Sequence, residues 1–296
     1  MPSSPIVWSG WQTLALPEPP TPGVLAEMLD GGQAFRWARS AEGVWQGVWS
    51  DCIARLQPAA SGVLWSAPEA VAGAVAAQLP SYLGAAVDFR KLADDLPWRS
   101  DPHLARCLAA FPGLRLLRQP LGETLLCFMC SSTKQIVQIR QMVELLARRH
   151  GREIVPGIHR LPTWAELATV SEEDLRGCLL GFRARYVQQT AQFLAEHPAW
   201  LEATGPLPYA EAKEHLRTLA GVGEKVADCV LLFAAGRLDA FPVDVWIIKA
   251  MEARYGLAGW APGQIAQFGR MHFGPHAGLA QQYLFAWERR HGREAP

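Results

Sequence analysis

The chain has 296 residues, of which half are hydrophobic and 19% are charged. This composition is typical of a globular protein and excludes a fibrous or largely disordered chain. The 28 basic residues balance the 28 acidic residues, so the formal net charge is zero. A protein that binds nucleic acid through a high overall positive charge is therefore excluded, and any such contact must be local.

The sequence contains no apolar run as long as a membrane span, and its first ten residues lack a basic and then apolar signal pattern. We therefore expect a cytoplasmic protein without a membrane partner. In that compartment the six cysteines are expected to be reduced. Cys127 and Cys130 form a CxxC pair, but no second pair stands nearby to complete a metal site. We interpret both as small core residues, and we expect no metal and no other cofactor.

The first hundred residues predict an antiparallel sheet. Short β-like runs, separated by Gly, Pro and Ser, occupy 34–37, 44–49, 52–57 and 62–66. After residue 67 the apolar residues follow helical spacing, first in 69–78 and 89–96. Because strands precede helices instead of alternating with them, the predicted fold class is α+β. We expect an N-terminal sheet subdomain at 1–98 and a helical domain at 99–296.

The helical part contains one long amphipathic segment, 135–149, whose apolar stripe ends in arginines and a glycine stop. Further helices are predicted at 162–170, 172–180, 185–196, 209–219 and 224–235. The last two flank Gly221 and Gly223. Glycines at this spacing allow a tight turn that exposes amide groups at the start of the second helix, which suits a phosphate oxygen. A plain turn between two helices is the alternative interpretation.

The hairpin resembles a known motif. LAGVGEKVA at 219–227 resembles the hairpin of the helix-hairpin-helix DNA glycosylases, and FPVD at 241–244 resembles their downstream catalytic stretch. The resemblance implies that Lys225 is the nucleophile and that Asp244 stabilises positive charge on the sugar. A helix N-terminus disfavours the cationic form of an amine, which suits attack on a sugar carbon, and a Schiff base there would permit β-elimination. A solvent-facing lysine and an aspartate that only caps the next helix are the alternatives.

Other motifs resemble one branch of that superfamily, the 8-oxoguanine DNA glycosylase/AP lyases. GGQAFRW at 31–37 resembles a loop in which a glycine carbonyl faces the damaged base. The resemblance implies that Gly32 accepts the N7 proton that 8-oxoguanine carries and guanine lacks. It also implies that the N-terminal sheet is of the TATA-binding-protein type.

GLAQQYLF at 278–285 is similar to the C-terminal pocket helix of the same branch. The resemblance implies that Gln281 binds the edge of the base and that Phe285 stacks on its face, with Cys229 on the opposite side. It also implies that Cys229 pairs electrostatically with Lys225. Without the resemblance, Phe285 and Cys229 would be interpreted as core residues.

The helical domain carries three more motifs of the branch: GLRLLRQP at 113–120, CSS at 130–132 and GFRARYV at 181–187. Two of them depart from the branch at positions that contact DNA. Thr133 replaces an Asn that contacts the orphaned cytosine, so we expect discrimination of the opposite base to be relaxed or carried by Arg183. Phe182 replaces a Tyr wedge and still supplies an apolar plane that can unstack a base.

Two residues after Asp244, the branch has a His that contacts a phosphate, whereas this chain has Trp246. The full set of residues implied to contact DNA is Thr133, Lys134, Phe182, Arg183, Gly221, Gly223 and Trp246. Basic residues within 140–152 and 289–293 are further candidates for local DNA contact, although basic helix ends also serve solvation and the helix dipole.

Taken together, the motifs predict a bifunctional DNA glycosylase/AP lyase that excises 8-oxoguanine from duplex DNA in base excision repair and acts as a monomer. An alkylated-base glycosylase of the same superfamily is the main alternative, but that group generally works without the lysine at 225. A hairpin module that binds DNA without catalysis is another. An iron-sulfur glycosylase needs four closely spaced C-terminal cysteines, and none follows Cys229.

Overall fold

The protein is described here from a computed structural model, which covers residues 5–292. Its N-terminal strands are β1 (Gln12–Ala15), β2 (Trp37–Arg39), β3 (Trp45–Trp49), β4 (Cys52–Ala59) and β5 (Gly62–Ser66). They form a five-stranded antiparallel sheet in the order β1-β5-β4-β3-β2. The predicted α+β class is confirmed, and so are the strands expected at 44–49, 52–57 and 62–66.

The prediction of a strand at 34–37 is wrong, because β2 begins only at Trp37. Residues 34–36 form a loop whose polar groups bond to the helical part of the protein. Beside them, Gln33 Nε2 donates to the carbonyl of Arg115 at 3.0 Å. Arg36 donates to the carbonyl of His159 at 2.5 Å. These side-chain bonds hold the loop against the helical domain, while the carbonyl of Arg36 accepts from the amide of Val48 in β3 at 3.2 Å, where the loop joins the sheet.

Two N-terminal elements were not predicted from the sequence. Strand β1 pairs with β5 from Gln12 opposite Trp65 to Ala15 opposite Gly62. Helix α1 (Pro22–Asp30) begins after Thr21, whose hydroxyl accepts a hydrogen bond from the amide of Val24 at 3.2 Å. A Thr followed by a Pro is a common helix start, so this signal was present in the sequence.

The remaining elements are mostly helical. They are α2 (Ala72–Tyr82), α3 (Phe89–Asp94), α4 (Pro102–Ala110), α5 (Leu121–Met129), α6 (Ile136–His150), α7 (Trp164–Ala168), α8 (Glu172–Arg176), α9 (Arg183–Glu196), α10 (Tyr209–Arg217), α11 (Glu224–Phe233), α12 (Val245–Tyr255), α13 (Pro262–Phe273) and α14 (Ala277–His291). A small antiparallel hairpin, β6 (Glu153–Val155) and β7 (Ile158–His159), interrupts a region expected to be almost entirely helical.

The sheet and the helices share one hydrophobic core. On the sheet side, the ring of Trp49 stacks on Tyr82 of α2 at 4.6 Å between centroids. On the helical side, the ring of Phe35 packs edge-on against Phe128 of α5 at 5.3 Å. Helix α14 packs against both α4 and α12. Phe35 ties the loop before β2 to α5, and Gly32 at the start of that loop lies close to Phe285 of α14. An N-terminal segment is thus brought against the helices.

Within residues 5–292, no helix combines the length and apolar character needed to cross a membrane. The same residues contain no group of three or more His, Cys, Asp or Glu side chains placed to hold a metal ion. Cys127 and Cys130 are both buried at the end of α5. This placement agrees with their interpretation as core residues.

Candidate active site

Lys225 lies in the first turn of α11, directly after the hairpin. Its side chain is half-buried. Nζ donates a hydrogen bond to the hydroxyl of Ser131 at 2.8 Å and lies 5.0 Å from the ring centroid of Phe128. The Ser131 hydroxyl donates in turn to the carbonyl of Phe128 at 2.7 Å, which leaves its oxygen free to accept from the lysine. The amine therefore has a fixed position at a helix N-terminus and does not extend into bulk solvent.

The hairpin before Lys225 needs glycine at one of its two glycine positions. Gly221 has φ 77, and a Cβ there would lie 2.6 Å from the Cβ of Tyr186, so both the backbone and the close approach exclude a side chain. Gly223 is the N-cap of α11, and its surroundings have room for a side chain. Both glycines are exposed, so the amide groups at this helix start are accessible to a phosphate oxygen.

Asp244 is the N-cap of α12. Its Oδ1 accepts hydrogen bonds from the amides of Trp246 at 3.0 Å and Ile247 at 2.9 Å. The capping alternative is therefore observed, but both capping bonds end on the same oxygen. Burial raises the pKa of the Asp244 carboxyl, while the Ile247 amide and the charge of Lys225 oppose that rise. Asp244 thus caps a helix and lies within electrostatic reach of the candidate nucleophile.

Cys229 lies one turn beyond Lys225 and is buried. Burial raises the pKa of its thiol to about 12, although the positive charge of Lys225 acts in the opposite direction. Such a thiol is protonated near neutral pH. The contact between Cys229 and Lys225 is therefore one between an amine and a neutral, polarisable sulfur, which is a weaker form of the pairing expected from the motifs.

Gly32 and Phe285 come from opposite ends of the chain and meet in the structure. Gly32 has φ 104, and a Cβ on it would lie 3.5 Å from Cζ of Phe285 and 3.3 Å from Cδ1 of Ile136. A side chain at position 32 would therefore be strained by the backbone, and its Cβ would crowd Ile136 while touching the phenylalanine ring. The glycine loop and the C-terminal helix α14 therefore meet in the structure.

Gln281 is buried on the same face of α14, four residues before Phe285. Its Nε2 donates to the carbonyl of Pro242 at 3.1 Å, and its Oε1 accepts from Nε2 of Gln282 at 2.8 Å. The amide thus lies beside the segment that leads to Asp244. Each end of the amide makes one bond within the protein, which leaves a second N–H donor and a second oxygen lone pair for the edge of a base.

Gln33 fixes the glycine loop, a role that was not predicted. Its Nε2 donates to the carbonyl of Arg115, its Oε1 accepts from the amide of Leu117 at 2.9 Å, and its own carbonyl accepts from Nε2 of Gln119 at 2.6 Å. Arg115 is fully buried and donates to the carbonyl of Gly84 at 3.2 Å. Both partners in this contact belong to motifs identified in the sequence, 31–37 and 113–120, but their mutual contact could not be inferred from either motif alone.

The residues expected to face the opposite DNA strand surround Arg183. Thr133 is exposed and has φ 55, a left-handed conformation that is uncommon for threonine. NH2 of Arg183 donates to its hydroxyl at 3.0 Å and also to the carbonyl of Ser132. The guanidinium is buried, and burial lowers its pKa. In this arrangement Arg183 holds the 132–133 turn and does not extend toward solvent.

Phe182 and Trp246 are both at least partly exposed. The Phe182 side chain is 55% exposed, and its ring meets Tyr186 edge-on at 6.3 Å. The Trp246 side chain is half-buried, and Nζ of the exposed Lys249 lies 5.1 Å from its ring centroid. Lys249 was missed in the sequence, although its spacing from Trp246 places both on one helix face. Lys134 is half-buried in the turn after Ser131.

Three arginines of the two basic segments form ion pairs with acidic residues of the N-terminal part. Arg140 pairs with Asp30 at 2.8 Å, and Arg152 pairs with Asp51 at 2.7 Å. Arg289 pairs with a carboxylate oxygen of Glu27 at 2.7 Å. These contacts join the helices to the N-terminal part, so they serve the fold. Arg293, which belongs to the second segment, lies outside the described residues.

Comparison with known proteins identifies the family. Residues 15–125 match the family described as "8-oxoguanine DNA glycosylase, N-terminal domain". The N-glycosylase/DNA lyase OGG1 of Arabidopsis thaliana is 31% identical over 279 residues, which cover 87% of this chain and 75% of that protein. The chain belongs to the 8-oxoguanine N-glycosylase/DNA lyase family. This result confirms the resemblance identified from the motifs.

The fold of this N-glycosylase/DNA lyase family member also matches solved structures. The 8-oxoguanine glycosylase/lyase of Clostridium acetobutylicum, solved in complex with dsDNA containing cytosine opposite 8-oxoG, superposes with a TM-score of 0.84 at 30% identity. The match covers 90% of this chain and 92% of that one. A 3-methyladenine DNA glycosylase from Archaeoglobus fulgidus has a TM-score of 0.74 at 20% identity over 93% and 98% of the two chains, a likeness of fold alone.

Proposed function

We propose that this protein is a DNA glycosylase/AP lyase that removes 8-oxoguanine from duplex DNA in base excision repair. The observation that carries the proposal is the position of the Lys225 amine. It is half-buried at the start of α11, is hydrogen-bonded to Ser131, and interacts electrostatically with the carboxyl group of Asp244. Its neighbour Phe128 packs against Phe35 of the glycine motif. Membership of the N-glycosylase/DNA lyase family supports the same activity.

The glycosylase step uses Lys225 as nucleophile. Once its ammonium has lost a proton, Nζ attacks C1′ of the everted nucleotide and the bond between C1′ and the base nitrogen N9 breaks. The base leaves with the electron pair and takes up the proton that the newly bonded nitrogen releases. Positive charge develops on the sugar as that bond breaks. Asp244, held in place by its capping bonds to α12, stabilises this charge without touching the base.

The lyase step follows from the covalent bond to Lys225. Opening of the sugar between C1′ and O4′ leaves an iminium ion, which makes the C2′ proton acidic. Loss of that proton forms the C2′–C3′ double bond and expels the 3′ phosphate, which cuts the strand by β-elimination. Water then hydrolyses the iminium and restores the free amine.

The damaged base is held between the ring of Phe285 and the sulfur of Cys229, and its edge is bound by Gln281. The carbonyl of Gly32 accepts the N7 proton of 8-oxoguanine. Guanine has no such proton and would leave this buried acceptor without a partner, which costs about 1–3 kcal/mol. That difference is enough to select the oxidised base from normal guanine by one to two orders of magnitude.

The rest of the proposed interface grips the duplex. The amides at Gly221 and Gly223 bind a phosphate, Phe182 fills the space left by the everted nucleotide, and Lys134 and Trp246 contact the backbone. Thr133 offers one hydroxyl, which is already bonded to Arg183, so we propose that discrimination of the base opposite the lesion is relaxed. The protein acts as a monomer on duplex DNA in the bacterial nucleoid.

The proposal is tested by reductive trapping. The protein is incubated with a duplex containing 8-oxoguanine and with sodium borohydride, and a covalent protein–DNA adduct is expected. Lys225→Gln should abolish the adduct and strand cleavage, whereas the matched control Lys91→Gln, on the exposed surface of α3, should retain both. Base release without any adduct would indicate a lysine-free glycosylase. Duplex binding without base release would indicate a non-catalytic hairpin protein.

A further inference from the structure

The turn between α8 and α9 holds an apolar side chain in an unusual backbone conformation. Leu179 has φ 65, in the left-handed region where helix ends usually carry glycine. A leucine in this region is strained, because its Cβ crowds the following carbonyl oxygen. Its side chain is nevertheless 57% exposed. The conformation therefore adds strain without burying much apolar surface, so packing within the protein does not account for it.

This turn is tied to the segment that holds the candidate nucleophile. Arg183 donates through NH1 to the carbonyl of the residue after Leu179 at 3.2 Å. Through NH2 it donates to the hydroxyl of Thr133 at 3.0 Å. The same 131–133 segment supplies the hydroxyl that accepts from Lys225. One buried guanidinium thus fixes Leu179 relative to the lysine.

Leu179 also shares its turn with the predicted wedge. The side chain of Leu180 is fully buried, whereas those of Leu179 and Phe182 are both more than half exposed. The ring of Phe182 packs against Tyr186, and Tyr186 in turn lies against Gly221 of the hairpin. Phe182 therefore borders the hairpin, and Leu179 lies three residues before it in the same turn.

We propose that Leu179 is a second apolar wedge of this DNA-binding surface. It enters the groove of the duplex beside Phe182 and packs on the bases and deoxyriboses next to the space that the everted nucleotide leaves. Proteins use apolar side chains in this way to hold base steps apart. The side chain becomes buried only in the complex, where that burial offsets the strain of its backbone. The proposal rests on the proposed function, because it assumes that this surface binds duplex DNA.

The experiment distinguishes relief of backbone strain at Leu179 from loss of its contact with DNA. Leu179→Gly and Leu179→Asn both tolerate a positive φ and both remove the apolar side chain. Leu179→Met retains an apolar side chain. Ser50→Gly, at a second strained position with φ 46 in the turn between β3 and β4, is the matched control for relief of strain away from the hairpin. Thermal unfolding and duplex affinity are measured, together with the fluorescence of 2-aminopurine placed beside the 8-oxoguanine.

We expect Leu179→Gly to raise the melting temperature by roughly 1–3 °C, because strain is relieved and little packing is lost. The same variant should bind the duplex about 5- to 10-fold more weakly and should give a smaller 2-aminopurine signal, since loss of a wedge leaves the bases stacked. Leu179→Asn should show the same loss of binding, and Leu179→Met should bind like the parent. Ser50→Gly should raise the melting temperature without any change in binding.

Unchanged affinity and an unchanged 2-aminopurine signal in Leu179→Gly would overturn the proposal. A lower melting temperature in that variant would overturn it as well, because the side chain would then be a structural residue. The borohydride trap on the parent protein distinguishes the two proposals. A parent that forms no adduct contradicts the glycosylase/lyase function, whereas a parent that forms the adduct, with Leu179→Gly binding equally well, contradicts only the role of Leu179.

Discussion

The ammonium group of Lys213 lies 2.9 Å from a carboxylate oxygen of Asp228 in the buried contact between α10 and α11. The other carboxylate oxygen accepts from the hydroxyl of Tyr209 at 2.6 Å. Burial raises the pKa of Asp228, and Lys213 opposes this rise. Asp228 lies one turn from Lys225 on α11, so the ion pair fastens the helix that carries the candidate nucleophile.

Removal of the Lys213 ammonium group alone should destabilise the protein. Lys213→Met leaves the Asp228 carboxylate buried without its partner, and we expect the free energy of unfolding to fall by about 3–5 kcal/mol. The double variant Lys213→Met/Asp228→Asn removes both charges, so it should recover a large part of that loss. Urea unfolding of the parent and the variants measures the difference. Equal losses in the single and double variants would show that the charge on Asp228 is not the cause.

Asp244 allows its two roles to be separated by substitution. Asparagine caps helices about as well as aspartate, so Asp244→Asn should keep α12 intact while it removes the negative charge. We expect the single-turnover rate of base release to fall by roughly 10²- to 10³-fold with little change in melting temperature. Asp244→Ala should lose the cap as well and unfold with about 1 kcal/mol less free energy. An Asp244→Asn protein that excises at the parental rate would reduce this residue to a helix cap.

Thr133 is the position at which opposite-base selectivity can be tested. Asparagine tolerates a positive φ better than threonine, so Thr133→Asn should fold at least as stably as the parent. Its amide presents a donor and an acceptor to the unpaired base, and we expect the preference for cytosine to increase by roughly 5- to 20-fold. The measurement is base release from 8-oxoguanine opposite each of the four bases, with Thr133→Ser as the matched hydroxyl control. Identical profiles for the asparagine and serine variants would mean that this position does not read the opposite base.

Glu123 makes the stability of the fold depend on pH. Burial raises the pKa of this carboxyl from its ordinary value of 4.5 to about 7, against the opposing effects of the Ser50 amide and the charges of Arg36 and Arg160. The native state therefore binds this proton more tightly than the unfolded state does. The contribution to stability is greatest below pH 4.5 and decreases as the pH rises to about 7, above which it is constant.

Glu123→Gln keeps an oxygen that can accept from the amide of Ser50 and cannot ionise. We expect its free energy of unfolding to equal that of the parent within experimental error near pH 4 and to exceed it by about 1–3 kcal/mol at pH 8. Urea unfolding at intervals across this range measures the difference. A difference that does not change with pH would show that ionisation of Glu123 is not responsible.

The residues of the candidate site were easier to predict from the sequence than the contacts that hold them in place. Lys225, Asp244 and the hairpin glycines lie within short motifs, so the residues that define each motif are neighbours in sequence. The partner of the Lys225 amine is different, because Ser131 lies 94 residues earlier in the chain. The contact between Gly32 and Phe285 required two separate motifs to be placed side by side. Only the resemblance to a known family supplied that placement.

The acidic partners of the basic segments could not be predicted from the sequence. Arg140 and Arg289 stand in runs of positive charge, which suggested a DNA contact, but their acidic partners Asp30 and Glu27 belong to α1. That helix was itself missed, and the strand predicted at 34–37 proved to be a loop. Local patterns report charge and apolar spacing, whereas the pairing of charges depends on tertiary contacts that a sequence pattern does not contain.

The buried amide of Gln33 has a consequence for how lesion selectivity can change. The loop that ends in Gly32 takes its shape from the backbone at Arg115 and Leu117, in a distant part of the chain. A substitution that shifts that backbone by a fraction of an ångström would move the Gly32 carbonyl without altering any group that touches DNA. Variants at such remote positions could therefore lose the distinction between oxidised and normal guanine while they retain full cleavage chemistry.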